Sequence, residues 1–191
     1  MSVVGLLLLA TLAAVAFYGV TVYNNLVTIK HSVAKAWANI DVLLKQRHDE
    51  LPKLVETCKI YMNFEQDTLT RVMRARSSVA SAQASRDLAA LSIAEGEMRA
   101  GLGRLFAVAE NYPDLKANEN FLHLQRRITG LENAIADRRE FYNDSVNVNN
   151  VRIEQFPDRI VAGMFNFVPA TLLRVPDVER SDVNVGALFK Q

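Results

Sequence analysis

The feature that most constrains this chain is an uncharged apolar run near its N-terminus, VVGLLLLATLAAVAFYGVTVY, at residues 3–23. The first charged side chain in the sequence is Lys30. A helix rises about 1.5 Å per residue, so a run of this length crosses a hydrocarbon core of about 30 Å. Tyr18 and Tyr23 lie toward one end of the run, where aromatic rings favour the headgroup level. We therefore predict a retained transmembrane anchor over residues 1–28.

Two other interpretations of the run are a cleaved secretory signal and a buried core helix. Ala14-Val15-Ala16 resembles a cleavage site, but no Lys or Arg precedes the apolar core, and the run continues well beyond Ala16. A core helix of a small domain usually keeps a polar stripe, which this run lacks. Both alternatives are therefore weaker than a retained anchor.

The composition favours one helical domain after the anchor. Glycine (8) and proline (5) are scarce among the 191 residues, as in helical proteins. Lys plus Arg (22) nearly balances Asp plus Glu (21), so no charge pattern indicates nucleic-acid binding. The single cysteine, Cys58, excludes an internal disulfide.

The charges that flank the run predict its orientation. No Lys or Arg precedes it, whereas Lys30, Lys35, Lys45 and Arg47 follow it. Since Lys and Arg near a span tend to stay in the cytoplasm, we expect a single-pass protein of the cell membrane with its N-terminus outside and its helical domain in the cytoplasm.

Apolar residues at spacings of three and four predict four amphipathic helices after the anchor. The first begins at Ile29 and continues the anchor without a break; the second begins near Leu51 because Pro52 favours a first helical turn, or else continues the first helix across Pro52. The third follows a connection at residues 83–86, and its glycines allow close approach of a neighbouring helix. The fourth begins at Asp114 or Asn118 and ends at Pro157. Its predicted buried positions are Phe121, Leu124, Ile128, Leu131, Ile135, Tyr142, Val146 and Ile153.

The predicted fold is thus all-α, with a transmembrane helix followed by an antiparallel, up-and-down four-helix bundle at residues 29–157. Residues 158–191 comprise an apolar segment, too short to span a bilayer, and a loose C-terminal tail. Four passes would return the chain to the membrane-proximal end. This would place Phe156, Met164, Phe165 and Phe167 at the bilayer surface or against the anchor; alternatively, the apolar segment covers the end of the bundle.

Four separated blocks of sequence resemble the LemA family. These are YNNLVTIKHSV (23–33), AWANIDVLLKQRHDELPKLVETCKIY (36–61), AENYPDLKANENFLHLQ (109–125) and YNDSVNVNNVRIEQFP (142–157). The resemblance implies a bacterial protein with one N-terminal membrane helix and a four-helix bundle, and it implies no catalytic activity. Some relatives belong to magnetosome-type membrane systems. Asn166 departs from the family, which usually has glycine in a Phe-Gly-Phe element at this point, as do Cys58 and Ile60, where valine and glycine are common.

The sequence offers little catalytic or metal-binding chemistry. None of His31, His48 and His123 follows a glutamate by three residues, so the Glu-x-x-His pairs of di-metal bundles are missing. Cys58 lies on an apolar stripe without a nearby base. We therefore predict no catalytic residue, metal or cofactor, no small-molecule substrate, and a protein that is not an enzyme.

The densest polar cluster is the turn before the fourth helix, where capping explains most of the residue types. We predict it as an interaction surface at the end where the anchor leaves the membrane. The function expected is a membrane-anchored scaffold that assembles with itself or with other membrane proteins; the alternative is a protein that senses or shapes the bilayer through its apolar segment. The candidate interaction residues are Glu110, Asn111, Asp114, Asn118, Glu119, Asn120, Phe156, Met164, Phe165 and Phe167.

Overall fold

The computed structural model describes residues 2–62 and 64–173. These residues form helices and contain no strand, which confirms the all-α prediction. The predicted tail at residues 174–191 lies outside the described part of the chain. The helices are α1 (Val3–Tyr61), α2 (Gln66–Ser85), α3 (Leu88–Ala109), α4 (Pro113–Lys116), α5 (Glu119–Glu154) and α6 (Asp158–Met164).

The longest helix, α1, joins the apolar run to the first amphipathic segment, as predicted. It also continues through Pro52, so the predicted helix start near Leu51 is wrong and the alternative of a continuous helix is correct. Proline has no N–H to donate to the carbonyl four residues earlier. That carbonyl belongs to His48, and it accepts a hydrogen bond of 2.9 Å from Arg76 Nε of α2. A side chain of another helix thus replaces the missing backbone donor.

Helices α2 and α3 are joined by a two-residue connection with defined capping. Arg86 ends α2 in the left-handed conformation, with φ of 54°. The next residue, Asp87, caps α3: its carboxylate accepts hydrogen bonds from the backbone N–H groups of Ala89 (3.0 Å) and Ala90 (2.9 Å). The α2–α3 hairpin begins at Gln66. The predicted second helix began near Leu51, but the residues from there to Tyr61 belong to α1.

The predicted role of the α3 glycines in close helix contact stays a prediction. A methyl group added at Gly101 would meet Val72 Cγ2 at 3.5 Å, which is an ordinary contact, and one added at Gly103 would meet nothing within 4 Å. Neither position requires glycine.

The fourth predicted helix is divided into α4 and α5. Pro113 is the first residue of α4. Asn118 then caps α5, since its Oδ1 accepts a hydrogen bond of 3.0 Å from the N–H of Phe121. All eight predicted buried positions of this helix are buried: Phe121, Leu124, Ile128, Leu131, Ile135, Tyr142, Val146 and Ile153.

The described residues divide into two compact units. The first unit comprises residues 2–39 and 138–172; the second comprises residues 40–137 and Leu173. The first unit contains the apolar start of α1, the end of α5 and all of α6. The second contains α2, α3 and α4 with the remaining parts of α1 and α5. The single predicted domain at residues 29–157 stays a prediction.

Candidate functional site

The apolar segment after Pro157 packs against the end of the apolar run. Phe165 and Phe167 contact the ring of Tyr23, with centroids 4.7 and 5.8 Å apart. A small hydrophobic core also joins the two segments, and Val161 and Phe167 pack against it. Its buried members are Val22, Leu26, Ile153 and Ala162.

An ion pair and a left-handed residue hold the two ends of α6. At its start, Arg152 Nη2 of α5 lies 2.8 Å from Oδ2 of the buried Asp158. At its end, Asn166 has φ of 54°, and the N–H of Phe167 donates to the carbonyl of Ala162 at 3.0 Å. This is the hydrogen bond of a Schellman cap, which normally favours glycine at the left-handed position and tolerates asparagine. The departure at Asn166 is therefore compatible with the backbone.

Several large apolar side chains of this segment are exposed. Phe156 is 83% exposed, Met164 is 72% exposed and Phe165 is 56% exposed. Ile160 and Val168 are also exposed. Aromatic and aliphatic side chains rarely gather on a water-facing surface, so such a group indicates contact with a membrane or a partner. We call residues 156–168 the collar.

The chain beyond the collar is held on α5 by side chains that replace backbone partners. Asn150 accepts a hydrogen bond from the N–H of Ala170 (2.9 Å) and donates one to its carbonyl (3.0 Å). The hydroxyl of Tyr142 donates to the carbonyl of Thr171 at 2.9 Å, and burial raises the pKa of Tyr142. Trp37 packs edge-on against the Tyr142 ring, with centroids 5.8 Å apart.

The predicted polar cluster lies elsewhere in the chain. Asn118 Nδ2 donates a hydrogen bond of 3.1 Å to the hydroxyl of Tyr61, the last residue of α1. The cluster therefore contacts the last residue of α1 through Asn118, and its predicted role as an interaction surface beside the anchor exit stays a prediction. Apart from Asn118, its candidate interaction residues are all exposed: Glu110, Asn111, Asp114, Glu119 and Asn120.

Within residues 2–62 and 64–173, the structure brings together no set of side chains with evident catalytic chemistry. Among the described residues, no three His, Cys, Asp or Glu side chains are placed to hold a metal. Cys58 is fully buried, and burial raises the pKa of its thiol to about 12, so it is a poor nucleophile near neutral pH.

A buried arginine in the second unit was not predicted from the sequence. Arg47 of α1 is 1% exposed and forms ion pairs with Glu95 of α3 and Glu132 of α5. A second contact joins Arg47 Nη1 to Glu95 Oε2 at 3.1 Å, and Arg99 Nε lies 3.8 Å from Glu132 Oε2. Burial lowers the pKa of Arg47, but the two carboxylates more than offset this and the net shift is upward.

The sequence did contain a signal for this cluster. Arg47 lies three residues after Leu44 and four before Leu51, both of which are buried, so a charge occupies the apolar stripe of α1. Such a charge needs partners from facing helices. The cluster joins three helices of the second unit, and its charges balance, which leaves no net charge to recognise a ligand.

Comparisons with known proteins agree with the sequence blocks noted above. The chain is 22% identical to the magnetosome proteins MamQ 1 and MamQ 2 of Paramagnetospirillum magneticum, over 97% of this chain and 78% of each relative. It is 26% identical to protein LemA of Metamycoplasma hominis, over 86% of this chain and 74% of the relative. The sequence pattern of the LemA family matches residues 36–186. The chain belongs to the LemA family.

Proposed function

We propose that this chain is a membrane-anchored, non-enzymatic helical module that binds the bilayer surface through its collar. The observation that carries the proposal is the packing of Phe165 and Phe167 on Tyr23, where the apolar run ends. The similarity to relatives named for the magnetosome supports a membrane location. In this proposal the helices beyond the anchor form the antiparallel four-helix bundle expected of the family.

The length of the apolar run indicates how deep in the bilayer the collar would lie. Residues 3–21 form about 28 Å of helix, close to the hydrocarbon thickness of about 30 Å. No residue in the apolar window of α1 is buried by protein, whereas Val22 and Leu26 are buried. The part of α1 proposed to contact lipid therefore ends near Val22, where the contacts between α1 and the collar begin. Exposed Phe156, Met164 and Phe165 then lie at the headgroup level, which suits aromatic and long apolar side chains.

The same contacts support a run that is retained. Val22, Tyr23 and Leu26 are part of the folded first unit, so the end of the run belongs to a packed structure. We propose a single-pass anchor in the bacterial cell membrane, with the N-terminus outside and the helical domain in the cytoplasm, from the flanking Lys30 and Lys35. Protease digestion of spheroplasts tests this orientation: the domain is expected to resist digestion until the membrane is broken.

A second function, self-association, is favoured by an exposed stripe on α5. Phe141 (52%), Val148 (50%) and Val151 (41%) are exposed at spacings of seven and three, which places them on one helix face. Anchored copies share one membrane and approach side by side, so we propose that a second copy of this chain covers the stripe. Other membrane proteins are the competing partners.

The depth of the collar can be measured by tryptophan fluorescence. In a Trp37→Phe background, Met164→Trp places the probe in the collar without removing a Tyr23 contact. Ile93→Trp is the matched control because Ile93 is 66% exposed on α3, in the second unit. In vesicles with brominated acyl chains, we expect quenching and a blue shift at position 164 and neither at position 93. Equal quenching at both positions would contradict the proposed collar.

A further inference from the structure

A small cavity in the first unit is lined by groups suited to a phosphate. It has a volume of about 200 Å³ and lies between α1, α5 and the segment that follows α6. Its polar lining comes from Lys30, Asn149 and Asn166, and its apolar wall includes Val33 and Phe167. None of the described lining residues carries a carboxylate.

The three polar groups differ in how they are held. Asn149 is 5% exposed, and its Nδ2 uses one hydrogen to contact Asn150 Oδ1 at 3.1 Å. A carboxamide nitrogen has two hydrogens, so one is left for a ligand. The backbone of Asn166 is held in the left-handed conformation of the helix cap, and its exposed side chain lines the cavity. Lys30 is exposed, and within the described residues no carboxylate pairs with it.

The position of the cavity along α1 favours the phosphate of a membrane lipid over a free phosphate. Lys30 lies about two helical turns beyond Tyr23, which is about 10 Å along α1. The headgroup layer of each leaflet is about 5–7 Å thick, so Lys30 can reach lipid phosphates at its outer edge. Phe167 belongs both to the cavity wall and to the collar contact with Tyr23.

We propose that this cavity binds the phosphate group of an anionic membrane lipid. Lys30 supplies the charge, the amides of Asn149 and Asn166 donate hydrogen bonds, and the apolar wall receives the glycerol and upper acyl region. The proposal rests on the proposed membrane placement of the collar for its choice of a lipid over a free anion.

Another groove, between α2 and α3, illustrates why the lining matters. Arg71 and Arg104 line it together with Asp67 and Glu97, and Arg71 already pairs with Asp67 at 2.7 Å. Acidic side chains there compete with an incoming anion, whereas none of the described residues that line the cavity at Lys30 is acidic.

The test uses the full-length protein in a neutral detergent. The probes are dihexanoyl phosphatidylglycerol, dihexanoyl phosphatidylcholine and inorganic phosphate, and their affinities are measured by titration calorimetry. We compare the natural chain with Lys30→Gln, Lys30→Arg and Lys35→Gln. Lys35 is exposed on the same helix and does not line the cavity, so its variant controls for the general loss of a positive charge.

We expect tighter binding of phosphatidylglycerol than of phosphatidylcholine. Lys30→Gln is expected to weaken phosphatidylglycerol binding about tenfold, Lys30→Arg to restore it, and Lys35→Gln to leave it unchanged. Equal effects of Lys30→Gln and Lys35→Gln would overturn the site. Inorganic phosphate binding as tightly as the lipid would overturn the lipid assignment and show a site for free phosphate.

A separate measurement distinguishes failure of this site from failure of the membrane placement. Alkaline carbonate extraction of cell membranes tests whether the chain is integral. An extracted protein that keeps Lys30-dependent phosphate binding would contradict the anchor and support the site. A protein that resists extraction but shows no dependence on Lys30 would support the anchor and overturn the site.

Discussion

At the scale of single residues, Pro52 shows how a distant side chain can override a local rule. Proline is expected in the first turn of a helix, because a proline inside a helix leaves the carbonyl four residues earlier without its backbone donor. Here the unpaired carbonyl, His48, accepts a hydrogen bond from Arg76. Since these residues are 28 positions apart, the pattern around Pro52 allowed both a helix start and a continuous helix and could not decide between them.

The coupling between Pro52 and Arg76 can be measured with a double-mutant cycle. Arg76→Met keeps the aliphatic stem but removes the donor, so it should lower the free energy of unfolding by about 1–2 kcal/mol. In a Pro52→Ala background the alanine N–H can donate to His48, and the same change should cost less. Thermal unfolding of the full-length variants in detergent gives the comparison. Equal costs in both backgrounds would show that the hydrogen bond does not compensate for the proline.

The left-handed residue Arg86 offers a second test at this scale. An L-residue with a side chain at φ of 54° pays a steric cost that glycine avoids. Arg86→Gly is therefore expected to raise the free energy of unfolding by about 1 kcal/mol. Ala84→Gly, two residues earlier inside α2, is the control and should lower it by about 1 kcal/mol. A loss of stability in both variants would show that Arg86 makes a compensating contact.

At the scale of helices, periodicity predicted the buried apolar positions of α5, but it did not predict the buried Asn149 or show which charges of this helix find a buried partner. Leu124, Ile128 and Leu131 follow the expected spacing and are buried. Glu132, the next residue, points to a buried arginine on another helix. A charged residue at the edge of an apolar stripe can face either solvent or an oppositely charged side chain. Only the packing of the helices shows which of the two it does.

The Arg47 cluster is expected to be costly to break at one position and cheaper to replace as a group. Arg47→Met leaves Glu95 and Glu132 partly buried without their shared partner and should lower stability by about 3–5 kcal/mol. Replacing both glutamates by leucine in the same protein removes the unpaired charges and should recover most of that loss. Thermal unfolding in detergent measures both.

An exposed pair provides the comparison for this prediction. Arg71→Met breaks the contact with Asp67, where both side chains are more than half exposed, and should cost less than about 0.5 kcal/mol. If Arg47→Met costs no more than Arg71→Met, the buried cluster contributes no net stability.

At the scale of the whole molecule, the proposed anchor and the proposed membrane placement of the collar restrict how copies of the chain can meet. An anchor confines every copy to one membrane in one orientation, which favours side-by-side contact with a two-fold axis along the membrane normal. In such a contact, one residue near the axis meets its own copy. The exposed α5 stripe of Phe141, Val148 and Val151 provides one exposed apolar helix face for such a contact.

Self-association through this stripe predicts a defined mass for the full-length protein. We expect an oligomer in detergent, measured by light scattering, and weaker association for a form that begins at Lys30, since it lacks both the apolar run and the contacts of Val22, Tyr23 and Leu26 that support the first unit. Val148→Glu places like charges together across a two-fold axis and should weaken association of the full-length chain more than about tenfold. Val42→Glu is the control because Val42 is 55% exposed and lies on α1, away from the stripe in sequence. A monomer in both forms would refute self-association, and equal effects of the two glutamates would move the contact away from α5.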